Sequence, residues 1–151
     1  PSRDLLKIAV AERHHNTGHI GLGYLKGYGL RQGAVATSIA HDSHNIIAVG
    51  TNDEDIAFAI NRISALQGGI VVAEGGKVIA ELPLPVAGLM SDAPLEEVND
   101  LLEQAKAAAH RMGVSCGIDP FMTLSFMSLP VIPSLKITTQ GVFDVDRWQY
   151  I

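Results

Sequence analysis

The segment that decides the fold is GAVATSIAHDSHNIIAVG, residues 33–50. Apolar runs, Gly33 to Ala40 and Ile46 to Gly50, lie on either side of five polar residues. Each run is too short for a helix and contains the β-branched residues that favour buried strands. The connection between the runs is short enough for a hairpin. We therefore predict two neighbouring antiparallel strands joined by a polar loop, His41 to Asn45.

A clearer hairpin follows at GIVVAEGGKVIAEL, residues 69–82. β-Branched residues flank the turn Glu74 to Lys77, where two glycines supply the positive φ angles that a tight turn requires. An earlier apolar run, Asp4 to Glu12, also has the composition of a strand. Together these segments predict a sheet that is mainly antiparallel.

Two long amphipathic helices are predicted between the strands. The first begins near Thr51, which stands in capping-box spacing to Glu54, and ends at Gly68-Gly69. The second begins after Ser91 or Asp92, which are suitable capping residues, and ends at Gly113. Their apolar positions recur at helical spacing, so each helix should cover one face of the sheet.

Two shorter segments are also predicted to be helical. His19 to Leu30 contains four glycines and is interpreted as a short helix packed closely on its neighbours. Pro120 to Ile132 is the most apolar stretch and favours a short buried helix, with an exposed docking patch as the alternative. The tail, Leu135 to Ile151, suggests a final strand or an ordered extended arm.

The order of these elements predicts the fold class α+β. It consists of a mainly antiparallel sheet with hairpins, packed by two longer and one or two short helices. Residues 1–151 contain no internal repeat and no low-complexity linker, so a single domain is expected.

Composition excludes several classes of protein. Apolar residues make up 47% and charged residues 18% of the 151 positions, which is typical of a folded chain. The net charge of −5 without a Lys/Arg cluster argues against nucleic-acid binding. No run reaches the roughly 20 apolar residues that span a membrane. We expect a soluble protein, and the single Cys116 fits the reducing cytoplasm.

The polar loop contains the densest group of reactive side chains in the chain. His41, His44 and Asp42 offer two imidazoles and a carboxylate, while Ser43 and Asn45 offer a hydroxyl and an amide. One interpretation is structural, because such residues bond local backbone in turns. Another is a metal site on the two histidines and a carboxylate, although two or three ligands are fewer than a site usually needs.

Several blocks of this sequence are familiar in combination. They are RHH at 13–15, GHIGLG at 18–23, KGYGL at 26–30, SIAHDSHNII at 38–47, GTND at 50–53, ELPLPVAGLMS at 81–91 and DPFMTLSF at 119–126. In this order, and over essentially the whole chain, they resemble the C-terminal region of bacterial adenine deaminases of the amidohydrolase superfamily.

That resemblance implies a catalytic apparatus beyond this chain. The family hydrolyses adenine to hypoxanthine and ammonia in purine salvage, with a divalent metal, manganese or iron, held in a (β/α)-barrel. The metal ligands there include an H-x-H pair, which this sequence lacks, so the resemblance implies that this chain binds no metal by itself. Its partners would be the N-terminal barrel and the substrate adenine, with a homo-oligomer also compatible. Alone, such an accessory domain should be inactive.

The resemblance also suggests a role for the loop. His41, Asp42 and His44 would be accessory catalytic residues that reach the mouth of the barrel, and Ser43 and Asn45 would bind substrate. Two alternatives remain: a free-standing, non-catalytic domain that binds a partner through Pro120 to Ile132, or a small hydrolase built on His41, Asp42 and His44.

Overall fold

The computed structural model describes residues 4–151, which form nine strands and three helices. In chain order these are β1 (Leu5–Ala11), β2 (Ile20–Lys26), β3 (Ala34–Thr37), β4 (Ile46–Gly50), α1 (Asp53–Ala65), β5 (Gly69–Glu74), β6 (Lys77–Pro83), α2 (Leu95–Arg111), α3 (Pro120–Met127), β7 (Leu135–Thr138), β8 (Gly141–Asp144) and β9 (Gln149–Tyr150).

The strands form two antiparallel sheets. Six strands lie in the order β2-β1-β4-β3-β5-β6, and the tail forms a separate sheet in the order β7-β8-β9. The predicted pair at residues 33–50 is confirmed as β3 and β4, with Val35 opposite Val49 at the centre of the larger sheet. The second predicted hairpin is β5–β6, and Gly75 and Gly76 turn it with φ angles of 58° and 69°. The α+β prediction is confirmed.

The two faces of the larger sheet bury different kinds of side chain. Alternate strand residues point to opposite faces, and on β1 Ile8 and Val10 point one way while Ala9 and Ala11 point the other. The face with the branched residues packs against α2, α3 and the small sheet, and we call it the aliphatic face. The other face, the alanine face, packs against α1. Small side chains let this helix approach the sheet closely.

The short helix predicted at His19 to Leu30 is wrong. These residues include β2, which pairs with β1 from Ala11 opposite Ile20 to Leu5 opposite Lys26. Gly21 and Gly23 alternate with apolar residues, so their spacing follows a strand. A Cβ atom on Gly21 would lie 1.8 Å from the Thr138 carbonyl oxygen, so glycine is needed where the small sheet crosses β2.

The predicted helix caps are also corrected. The N-cap of α1 is Asn52 instead of Thr51, because the Asn52 side-chain oxygen accepts a hydrogen bond from the Asp55 amide at 2.8 Å. The Asn52 amide group in turn donates to the Asp55 carboxylate at 2.9 Å. Helix α2 begins after Pro94 without any side-chain cap, so neither Ser91 nor Asp92 caps it.

Helix α3 confirms the short helix predicted from Pro120, although it ends at Met127. Phe121 and Leu124 are buried, while Met122 and Phe126 are exposed. The tail forms the small sheet, and its strand β8 packs on β2. None of the helices formed by residues 4–151 is long and apolar enough to cross a bilayer.

Candidate functional site

Three loops meet along one border of the larger sheet, where its strands begin and end. They connect β1 to β2 (residues 12–19), connect β3 to β4 (residues 38–45) and follow β6 (residues 84–90). Because β1 ends opposite the start of β4, the first two loops lie side by side. They contain five of the six histidines of the chain, namely His14, His15, His19, His41 and His44. We call this region the histidine edge.

The β1–β2 loop is fastened by one carboxylate. Glu12 accepts hydrogen bonds from the amides of His14, His15 and Thr17, those from His15 and Thr17 measuring 2.7 and 3.1 Å. The Thr17 hydroxyl also donates to it at 3.1 Å. These bonds, led by the one from the Thr17 amide, lower the Glu12 pKa to about 2. The loop is thus closed by bonds to its own first residue.

The β3–β4 loop is held by residues distant in sequence. The His41 amide donates to the Ser125 carbonyl at 3.2 Å, and the Ser128 hydroxyl donates to the His41 carbonyl at 3.1 Å. On its other side, Nε2 of His14 lies 2.6 Å from the Ser43 carbonyl oxygen. The backbone of the loop is therefore fixed between α3 and the β1–β2 loop.

Arg13 links all three loops. Its Nε donates to the His44 carbonyl, and its Nη2 donates to the Ala87 carbonyl at 2.8 Å. Its backbone amide donates to the Asn45 side-chain oxygen at 3.3 Å. The guanidinium lies so close to Gly88 that a Cβ atom there would be 2.7 Å away. Desolvation of this partly buried group lowers the Arg13 pKa.

The two histidines of the loop lie against one another. Their ring centroids are 5.5 Å apart, and the His41 ring is also 5.4 Å from the ring of Phe126. The Ala40 amide donates to Nδ1 of His44 at 3.3 Å, so the neutral His44 ring carries its proton on Nε2. Burial, followed by the neighbouring His41 and Arg13, lowers the His44 pKa. These surroundings thus favour the neutral form of the His44 ring.

The remaining loop side chains lie at a surface cleft that contains polar groups. Asp42 and Ser43 are exposed, and neither side chain hydrogen-bonds to another group among residues 4–151. Asn45 is mostly buried, and its oxygen is occupied by Arg13. The cleft measures about 290 Å³ and is lined by Asp42, Ser43, Asn45, Ser128, Pro130, Thr138 and Thr139. Its carboxylate, amide and hydroxyl groups can exchange hydrogen bonds with a polar ligand.

The histidine edge does not fit a metal ion. In the part of the chain that the structure describes, no three side chains of His, Cys, Asp or Glu come close enough together to hold one. His41 and His44 are adjacent, but the carboxylate that a metal site on them would need does not join them. The metal interpretation of this loop therefore lacks ligands.

Comparison with known proteins identifies the family. Residues 1–149 match the sequence model described as adenine deaminase C-terminal domain. The chain belongs to this family. It is 55% identical over 148 residues to an adenine deaminase of Bacillus licheniformis and 55% identical over 150 residues to one of Listeria welshimeri. It is 52% identical over 151 residues to one of Nitratidesulfovibrio vulgaris.

These matches cover 98–99% of this chain but only 26% of each relative. The chain thus spans about a quarter of the length of the curated relatives it matches. The resemblance given by the sequence blocks is confirmed, and the histidine edge is a feature of an adenine deaminase C-terminal domain.

For this adenine deaminase C-terminal domain, the structure brings the five predicted site residues to one edge but gives them different surroundings. His41, Asp42 and Ser43 present side chains to the surface, whereas His44 and Asn45 are bound to the protein's own backbone. Whether any of them contacts a substrate stays a prediction.

Sequence reasoning missed the part played by Arg13 at this edge. Its two carbonyl partners lie 31 and 74 residues further along the chain. An arginine at the end of a buried strand was the only local signal, and it does not indicate which loops the side chain joins.

Proposed function

We propose that this chain is the accessory C-terminal domain of a cytoplasmic enzyme that hydrolyses adenine to hypoxanthine and ammonia in purine salvage. The histidine edge then closes the substrate site of an amidohydrolase barrel that precedes this domain in the polypeptide. Membership of the adenine deaminase C-terminal domain family supports the proposal. So does the length of the relatives, since about three-quarters of each lies outside the match.

One observation supports a role for the β3–β4 loop in particular. Its backbone is held by Arg13, His14 and Ser128, while His41, Asp42 and Ser43 leave their side chains unbonded to other groups within residues 4–151. In a loop that is only structural, such side chains would hydrogen-bond to the backbone of the loop itself. A fixed backbone with available polar side chains is instead suited to a ligand, because little ordering remains to be done on binding.

The side chains suit a purine. The edges of adenine carry hydrogen-bond donors and acceptors, which the Asp42 carboxylate, the Ser43 hydroxyl and the Asn45 amide complement. The leaving ammonia must gain a proton, and the imidazole of His41 is a side chain of the type that supplies one in general acid catalysis. The His44 ring, whose neutral form carries its proton on Nε2, packs against the His41 ring with 5.5 Å between the centroids.

The metal of the proposed enzyme belongs to the preceding barrel. A divalent ion, manganese or iron, supplies the activated water in this chemistry when bound. The residues of this chain do not fit such an ion, because no group of three ligands forms among residues 4–151. We therefore assign to this domain only binding, orientation and proton transfer, and we expect it to be inactive in isolation.

A second candidate is a domain that binds a separate partner through the Pro120 to Ile132 surface. Exposure of Met122 and Phe126 on α3 favours it. The third idea, a small hydrolase built on His41, Asp42 and His44, has no comparable support.

The test uses the polypeptide that joins this domain to its barrel. We expect His41→Ala and Asp42→Ala each to lower adenine turnover by about 10²–10⁴-fold, the usual contribution of a positioned acid or base. Metal content and thermal unfolding should match the parent. His15→Ala, at the same edge but outside the loop, is the matched control and should change turnover less than about threefold.

Wild-type kinetics in both loop variants would refute the role of the loop. Release of ammonia from adenine by the isolated domain would refute its accessory status.

A further inference from the structure

Strand β2 exposes three large apolar side chains in a row. Ile20, Leu22 and Tyr24 occupy alternate positions, so they point to the same side, and they are 56%, 55% and 73% exposed. Their partners on β1 are Ala11, Ala9 and Lys7, which places the row on the alanine face. We call these three residues the β2 stripe.

The stripe is exposed because α1 does not extend over it. This helix packs mainly on β3, β4 and β5, and β2 lies at the far edge of the sheet. A groove of about 460 Å³ remains between the helix and the stripe. Its floor includes Ala9 and its far wall includes Ile60, with the Lys7–Asp53 ion pair beside it.

The backbone of β2 is open as well. Its only strand partner within residues 4–151 is β1, so its outer edge offers amide and carbonyl groups to another chain. An apolar groove bordered by an open strand edge is a surface that another folded unit covers.

We propose that the domain preceding this chain in the polypeptide packs into this groove. The inference rests on the proposed function, in which a catalytic barrel precedes the C-terminal domain. In the relatives about three-quarters of the polypeptide lies outside the match, which is ample for such a domain.

The path of the chain favours this occupant over a second copy. The first strand begins at Leu5, which is half exposed on the same face and lies opposite Lys26, next to the Tyr24 end of the stripe. The other end of the stripe, Ile20, adjoins His19 and therefore the histidine edge. The distance from Ile20 to Tyr24 is about 13 Å at the usual rise of a strand.

A domain lying along the stripe therefore runs from the point where the chain enters the sheet to the histidine edge. Such a domain would contact both the Leu5–Lys26 end of the β1–β2 pair and the loops at its Ala11–Ile20 end. The partner surface should be apolar at its centre and should offer polar groups to Lys7, Asp53 and the edge of β2.

Thiol labelling of the full polypeptide tests this arrangement. Leu22→Cys is compared with Glu103→Cys, whose side chain is 62% exposed on α2, on the opposite side of the sheet. Peptide mass mapping separates both from Cys116, which is itself exposed. We expect the thiol at position 22 to react at least tenfold more slowly than the thiol at position 103, at every protein concentration, with Tyr24→Cys behaving like Leu22→Cys.

Equal labelling rates at positions 22 and 103 would overturn the inference. Protection of position 22 that is lost on dilution would assign the groove to a second copy and would also overturn it. Adenine turnover of the same samples separates this result from the proposed function: fast labelling in an active enzyme refutes only the interface, and protection in a polypeptide that does not deaminate adenine refutes only the activity.

Discussion

The two loops of the histidine edge are similar in composition and different in construction. The β1–β2 loop has three histidines and the β3–β4 loop has two, and each loop also has several small polar residues. In the β1–β2 loop, Glu12 bonds to groups two to five residues away. In the β3–β4 loop, Arg13 and Ser128 bond to groups 31 and 87 residues away.

This difference separates a self-contained turn from a loop built by the fold. The β1–β2 loop keeps its shape wherever its own sequence is ordered. The β3–β4 loop has local bonds between Ala40 and His44, but it also depends on α3 and the end of β1, which supply the partners of the His41 and His44 carbonyls. Side chains on the second loop are therefore positioned by the whole domain, which is what an accessory site requires.

Of the changes considered, removing the Arg13 side chain should destabilise the β3–β4 loop most. We expect Arg13→Ala to loosen the β3–β4 loop by about 1–3 kcal/mol, since hydrogen bonds from a charged donor to two carbonyls are lost. Hydrogen exchange of the amides in residues 39–46 measures it. The His44 pKa should also rise, because a neighbouring positive charge is gone, while burial still keeps it below its usual value.

Arg147→Ala, in the small sheet, is the control for Arg13→Ala and should leave exchange in residues 39–46 unchanged. If exchange in Arg13→Ala also stayed at the parent rate, the loop would not depend on long-range contacts, and the contrast between the two loops would fail.

Removing the Ser128 hydroxyl should have an intermediate effect. Ser128→Ala deletes the donor to the His41 carbonyl and leaves that acceptor without its partner, at a cost of about 1 kcal/mol. Faster hydrogen exchange should be confined to the His41 side of the loop. Ser115→Ala is the control, because the Ser115 hydroxyl makes only a long contact of 3.5 Å with the Gly27 carbonyl, away from the loop. Hydrogen exchange in the β3–β4 loop should not change in this variant.

Neutralising Glu12 should have the smallest effect, limited to the β1–β2 loop and dependent on pH. The folded-state pKa of about 2 lies below the ordinary 4.5, so ionised Glu12 stabilises the folded state above about pH 4.5. This contribution is lost as the pH falls from 4.5 towards 2. Glu12→Gln should therefore lower the unfolding temperature slightly at pH 7 and hardly at all near pH 2.

Thermal unfolding from pH 7 to the lowest pH at which the polypeptide stays soluble checks this dependence. Curves of parent and Glu12→Gln that stay parallel over the whole range would show that the carboxylate does not hold the turn.

Much of the fold is predictable because its signals are local. The hairpin at Gly75-Gly76 and both long helices follow from turn chemistry and apolar spacing. The sequence wrongly predicts a helix at strand β2 because four glycines in twelve residues hide its alternating pattern. Position 21 needs glycine because a Cβ atom there would collide with the Thr138 carbonyl oxygen. Thr138 is more than a hundred positions away, so no local pattern contains this information.

The candidate site divides in the same way. The concentration of His41, Asp42, Ser43, His44 and Asn45 between two strands is plain in the sequence, and so is their chemical character. The different surroundings of these five side chains cannot be seen in the sequence. Asn45 is bonded to Arg13, and the His44 pKa is lowered by burial and by the neighbouring His41 and Arg13, so neither residue is equivalent to exposed Asp42.

By itself, the sequence determined the α+β class, the central strand pair and the family. The strands, helices and turns are encoded in residues that are near one another in the chain, and the family is encoded in several short blocks and their order along the chain. Only the tertiary structure decided that two histidine-bearing loops share an edge, that Arg13 joins them, and that the β2 stripe is left uncovered by α1. These features depend on the order of strands in the sheet and on which face each helix covers, and both are properties of packing between distant segments.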